Sequence, residues 1–177
     1  MGSTVIVLFM AVEKKDISLP IKNWMTDLGG LLQNAHDHQP ESGLYMASGR
    51  RGIPLYLLTE IRNVCQLPGL DFLDDECTTL QGTELVMAIQ SLTVIINELL
   101  SGNEIVRNTI IDYLASTNGV NYQQQMRISF TKSEICHDLD WNCGYESGLF
   151  SFIKTLLFVL SDALANNKLL LYVQEDF

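Results

Sequence analysis

Positive charge is scarce in this chain. Its 177 residues hold 11 Lys and Arg against 21 Asp and Glu, for a formal charge of −10. A field of that sign repels phosphate backbones and anionic lipid surfaces, so nucleic acid is not an expected partner. Charge of either sign is thin, at 18% of residues, while hydrophobic residues reach 47%. Such a balance excludes a disordered chain and points to burial as the main driving force. One domain spanning 1–177 is expected, long enough to form a core without metal or disulfide support.

Cysteine and histidine are also few. Cys65, Cys77, Cys136 and Cys143 form no CxxC, and their scattered spacing reads as reduced, buried thiols of a cytoplasmic protein. The three histidines are His36, His38 and His137. His36-Asp37-His38 has zinc-binding residue types, but it lies in a stretch with loop composition and has no further histidine nearby. Cys136-His137 are neighbours on an expected strand and would point to opposite faces, which is poor geometry for a thiolate–imidazole pair. The chain has no HExxH, GxSxG, Walker loop or GxGxxG. We therefore expect no catalysis, cofactor or bound metal.

Long apolar runs are missing at the N-terminus as well. Residues 4–12 (TVIVLFMAV) are too few to span a bilayer. Lys14 and Lys15 follow this run, whereas a signal peptide carries its basic residues ahead of it. Ile6 stands where a myristoylation motif after Gly2 needs Ser or Thr. The segment reads as a buried strand, and direct membrane insertion is not expected.

What is present is mostly helical periodicity. Apolar residues recur at helical spacing in 19–33, in a helix from Pro54 to Cys65 ended by Pro68-Gly69, and in 146–165. The strongest pattern is Leu85, Ala88, Ile89, Leu92, Ile95, Ile96 and Leu99, which share one face. Ser101 followed by Glu104 has the form of a capping box for a short helix ending at Asn118-Gly119. In 149–164 the polar stripe is so thin that the helix is expected to be buried almost all round. Period-2 alternation marks 126–135 as a strand, and 168–173 reads as another. Residues 34–52, with Pro40, Gly43, Gly49, Gly52 and the pair Arg50-Arg51, have the composition of a long loop. The expected class is α+β: a predominantly helical bundle with a small two- or three-stranded sheet drawn from 4–12, 126–135 and 168–173.

With no catalytic signature, the expected role is protein interaction. Leu44, Tyr45 and Met46 in the long loop, and Phe72 and Leu73 in the acidic connector 71–76, are large apolar residues inside polar stretches. Two readings stay open for them: a partner-binding surface, or lids folded back over the core. Asp71-Phe72-Leu73-Asp74 matches the DxxD form cut by executioner caspases, which makes Asp74 a candidate cleavage site. The same acidic residues also suit the approach to a helix N-terminus.

Three families offer likenesses. Residues 84–100, the short helix to Leu114, the strand 127–141 ending near Trp141, and the apolar helix 149–164 together resemble the C-terminal autoinhibitory domain of gasdermins. That resemblance implies a domain that restrains a pore-forming partner. The chain departs from the family pattern in adding a strand at 168–173. Asp140-Trp141-Asn142-Cys143-Gly144 is similar to the Asn-Trp-Gly signature of Bcl-2-like proteins, which implies a viral regulator of cell death. Only one helix follows it here, where that family has about two. Cys143-Gly144-Tyr145, the helix after it and 168–172 look like the opening of an α1,6-fucosyltransferase-type domain, of which the chain would hold only the first thirty or so residues.

Overall fold

The computed structural model describes residues 4–14, 44–50, 53–118 and 149–176. Four α-helices pack with an antiparallel sheet, and helix takes the larger share of these residues. The chain is thus α+β and mostly helical, as its periodicity implies. The readings for 19–33, 126–135, His36, His38, Cys136, His137 and Cys143 lie outside the described residues.

The sheet is built around β1 (Thr4–Val12) and β4 (Leu169–Asp176), which pair antiparallel with Phe9 opposite Tyr172. β3 (Cys77–Leu80) pairs with β4 on one side, setting Leu80 opposite Leu170. β2 (Leu44–Arg50) continues the sheet beside β1, giving the order β2-β1-β4-β3. Both β1 and β4 are central strands, which explains their near-continuous apolar sequences. Leu170 and Tyr172 join the main core with Val7 and Phe9, while Leu169, Leu171 and Val173 alternate to the other side and are buried there too.

Two strands correct the sequence reading. Residues 44–50 were expected within a loop, yet β2 pairs with β1 along its whole length, Leu44 opposite Met10 and Arg50 opposite Thr4. A strand edge can recruit backbone hydrogen bonds from a segment of poor intrinsic propensity. The acidic connector is likewise followed by β3, which no alternation marks, since Cys77, Thr78 and Thr79 are all only partly buried.

The helices are α1 (Ile53–Cys65), α2 (Thr83–Ser101), α3 (Glu104–Asn118) and α4 (Leu149–Ala165). α4 lies on the sheet and carries α2 and α1 on its other sides, while α3 packs on α1. The core runs continuously from Val7 of β1 through all four helices to Tyr172 of β4.

Three of the helices end alike. At α1 the amide of Leu67 donates to the Arg62 carbonyl and that of Gln66 to Asn63, with Gln66 at φ 52°. At α2 the donors are Asn103 to Glu98 and Gly102 to Leu99, with Gly102 at φ 69°. At α4 they are Lys168 to Ala163 and Asn167 to Leu164, with Asn167 at φ 52°. Each is a Schellman closure around one left-handed residue, which satisfies carbonyls the helix leaves open. α1 therefore stops at Gln66, ahead of Pro68-Gly69.

The expected capping box at Ser101 is displaced by two residues. Ser101 is the last residue of α2, and its hydroxyl donates back to the Glu98 carbonyl. Asn103 caps α3 instead: its Oδ1 accepts from the amides of Ile105 at 2.9 Å and Val106 at 3.3 Å. Its amide nitrogen donates to the Glu98 carboxylate, so one side chain joins the end of α2 to the start of α3.

Candidate functional site

Two surfaces emerge from this frame. The first is the segment 70–75, which holds three of the residues singled out from sequence. Between α1 and β3 the chain turns at Gly69, where φ is +81° and a Cβ would meet the Met87 Cβ at 2.8 Å. Only glycine suits that approach to α2. A short 3-10 helix, Asp71–Asp74, follows. Phe72 and Leu73 turn inward and are 6% and 1% exposed. The Phe72 ring meets Tyr172 edge to face, with centroids 5.2 Å apart. Burial of each such side chain stabilises the fold by about 1.5–3 kcal/mol. Of the two readings left open for Phe72 and Leu73, an exposed binding surface or a fold back over the core, their burial fits the second.

Asp74 stays at the surface, but it is held. Its carboxylate lies 2.9 Å from Nη1 of Arg62. Arg62 is itself buried, and the same Nη1 donates to the Leu70 carbonyl at 3.1 Å, while Nε and Nη2 donate to Oδ1 of Asn63. A buried guanidinium needs this full set of partners, because an unpaired charge at that depth is costly. The DxxD sequence is therefore helical in the folded chain, with its two middle residues in the core, rather than extended and free for a protease.

Leu44, Tyr45 and Met46, the other candidates, stand in β2 opposite Met10, Phe9 and Leu8 of β1. The structure thus places the two groups apart in the fold, one on the sheet and one between α1 and β3, and does not gather them into a common patch.

The second surface was not singled out from sequence. α2 has no charged residue from 85 to 97. Leu85, Ala88, Leu92, Ile95 and Leu99 face the core. On the outside Val86, Gln90, Thr93, Asn97 and Leu100 form a stripe at helical spacing, with Met87 and Val94 beside it, and all seven are exposed. Ile105, at the start of α3, is 66% exposed. The signal for this face was the uncharged run itself, masked by the strength of the inward pattern. Among the described residues α2 is also the one helix long and apolar enough to cross a membrane by length and composition; its inward stripe packs in the core. A smaller apolar exposure lies on α4, where Phe158 and Leu164 face outward, so that helix is not buried all round as expected.

The chemistry available is limited. Burial pushes the Cys65 thiol up, helped by the nearby Glu98 carboxylate, and burial alone does the same to Cys77. Fewer thiolates at neutral pH make both poor nucleophiles. Among the described residues no three His, Cys, Asp or Glu side chains gather as metal ligands would.

Compared with protein families, curated proteins and solved structures, the chain matches none. What fold and surface define is a mostly helical α+β chain with an uncharged, partly apolar outer helix face.

Proposed function

We propose that this chain is a non-enzymatic protein-binding domain, and that it binds through the outer face of α2 together with Ile105 of α3. One observation carries the reading. On a chain of charge −10, an exposed helix face free of charge from 85 to 97 bears Val86, Met87 and Val94, with Leu100 and Ile105 beyond it. Exposed apolar groups on a charge-poor face are the usual core of a protein interface, since charged residues are depleted there. The resemblance of 84–114 and 149–164 to the gasdermin autoinhibitory domain supplies the partner class: a pore-forming domain kept from the membrane by an apolar clamp.

The test is a vesicle-leakage assay with a gasdermin-type pore-forming domain, run with the wild-type chain and with a Val94→Glu/Ile105→Glu variant. Both substitutions sit on exposed side chains and should leave the circular dichroism spectrum and melting temperature unchanged. Suppression of leakage by the wild type, lost in the variant, is the expected result. Equal suppression by both would move the surface elsewhere, and no suppression by either would remove the pore-forming partner.

A further inference from the structure

The segment 70–75 is pinned at both ends, and between them it is held by the burial of Leu70, Phe72 and Leu73 rather than by a backbone ladder. Ahead of it, the Ser91 hydroxyl of α2 donates to the Pro68 carbonyl. Behind it, the amide of Gln174 in β4 donates to the Glu76 carbonyl at 2.9 Å. Between these pins the backbone hydrogen bonds are local: Leu73 to the Leu70 carbonyl and Asp75 to the Phe72 carbonyl, both 3.1 Å. The chain enters the segment from Gly69 at φ +81° and leaves the 3-10 turn at Asp75, extended at φ −85°, ψ 141°.

The ties from this segment to the rest of the molecule are side-chain ties. Phe72 and Leu73 pack inward, and the Tyr172 hydroxyl reaches the Leu73 carbonyl at 3.4 Å, a long bond. The polar tie that spans the segment is Arg62, which grips Leu70 at one end and Asp74 near the other. The segment also carries its own opposing force, because Asp71, Asp74, Asp75 and Glu76 put four exposed carboxylates within six residues.

We propose that 70–75 is a hinged strap latched by the Arg62–Asp74 ion pair, and that it opens as a unit while the helices and sheet stay folded. Opening lifts Phe72 and Leu73 off Tyr172 and turns a buried DFLD sequence into an extended, accessible one. Sub-global openings occur where a segment's backbone hydrogen bonds are local. Here the burial of Leu70, Phe72 and Leu73 opposes opening, and the ion pair adds to that hold. The ion pair is half-exposed, its guanidinium side chain 10% and its carboxylate side chain 55%, so solvent screens it in part. Charge-assisted bonds of that kind are about twice as strong as neutral ones. The inference does not depend on the proposed binding face.

Amide hydrogen exchange read by mass spectrometry tests it, on the full chain as wild type, Asp74→Asn and Asp71→Asn. In the wild type, peptides covering Leu73 and Asp75 should exchange faster than those of α4 and β4, the mark of an opening separate from global unfolding. Asp74→Asn keeps the side chain's shape and removes its charge, so strap exchange should rise by about threefold with α4 and β4 unchanged. Asp71→Asn removes an equally local negative charge that Arg62 does not hold, and should not speed the strap. If strap and core exchange together in the wild type, or if Asp74→Asn leaves strap exchange at the wild-type rate, there is no latch. A proportional rise in α4 and β4 would also overturn it, since the ion pair would then serve the whole fold.

Discussion

The rings of Phe9 and Phe152 meet edge to face, with centroids 5.8 Å apart and planes at 85°. They join the first strand to the last helix, and both are almost fully buried. Edge-to-face geometry sets the positive rim of one ring against the negative face of the other. This contact is one of those that seat α4 on the sheet, and α1 and α2 pack in turn on α4.

Truncating that contact should be felt by the whole fold. Phe152→Ala removes one ring and leaves a cavity beside Phe9, at an expected cost of about 3–5 kcal/mol. Phe152→Leu keeps most of the volume and should cost clearly less. Urea unfolding followed by circular dichroism gives both values. Equal, small losses would mean that α4 does not rest on this contact.

α4 offers a sharper contrast two residues apart. Leu156 is fully buried, whereas Phe158 is 61% exposed. Leu156→Asp places an unpaired carboxylate in the core and should cost several kcal/mol, enough to prevent folding. Phe158→Ser should stay within about 0.5 kcal/mol of wild type. Thermal melts of the two variants check this, and a large loss at Phe158 would show that its ring is covered.

The junction between α2 and α3 separates two capping assignments. Asn103→Ala removes the acceptor for the Ile105 and Val106 amides and should destabilise by about 1 kcal/mol. Ser101→Ala removes only a bond back to the Glu98 carbonyl and should fall within about 0.5 kcal/mol. Denaturant midpoints decide between them. A larger loss at Ser101 would restore the capping box.

That junction also shows why part of the structure was legible in the sequence and part was not. The inward face of α2 was readable because seven apolar residues repeat at helical spacing, a pattern that survives any local exception. β1 was readable from a run too short to be a membrane span and too apolar to be a loop. β2 was hidden because 44–50 carries Gly49, Ser48 and Arg50 and depends on β1 for its pairing. The end of α1 at Cys65 was legible but its cause was not, because a left-handed glutamine at 66 has no signature in the sequence, unlike Gly102. For the candidate site, the sequence left Phe72 and Leu73 open between surface and core because four acidic residues surround them. A short 3-10 turn sorts the two kinds of residue, carboxylates outward and apolar groups inward, which linear composition does not reveal. The outer face of α2 was overlooked for the opposite reason, as its Val and Met residues blended into the core pattern.

Alkaline pH should weaken the fold. The Tyr172 phenol is buried beneath the strap, and burial pushes its pKa far up, with the Asp74 and Asp75 carboxylates adding to the rise. Tyr113, Cys65 and Cys77 are shifted the same way, each mainly by burial. In the unfolded chain a tyrosine loses its proton near pH 10. The folded chain keeps that proton at the same pH, so the unfolded state binds fewer protons and the slope of unfolding free energy with pH is negative. Stability contributed by the neutral phenol is therefore complete below about pH 10 and declines as pH rises through the unfolded value. Tyr172→Phe removes this share of the decline and leaves the shares of Tyr113 and the two thiols. It also removes the hydroxyl contacts to the Leu73 carbonyl and to Oε1 of Gln174, so the variant should be less stable at neutral pH. The two stability curves, measured by urea unfolding from pH 7 to 11, should converge as pH climbs past 10. Parallel curves throughout would show that Tyr172 ionises freely in the folded chain, and that neither the core nor the strap seals it from water.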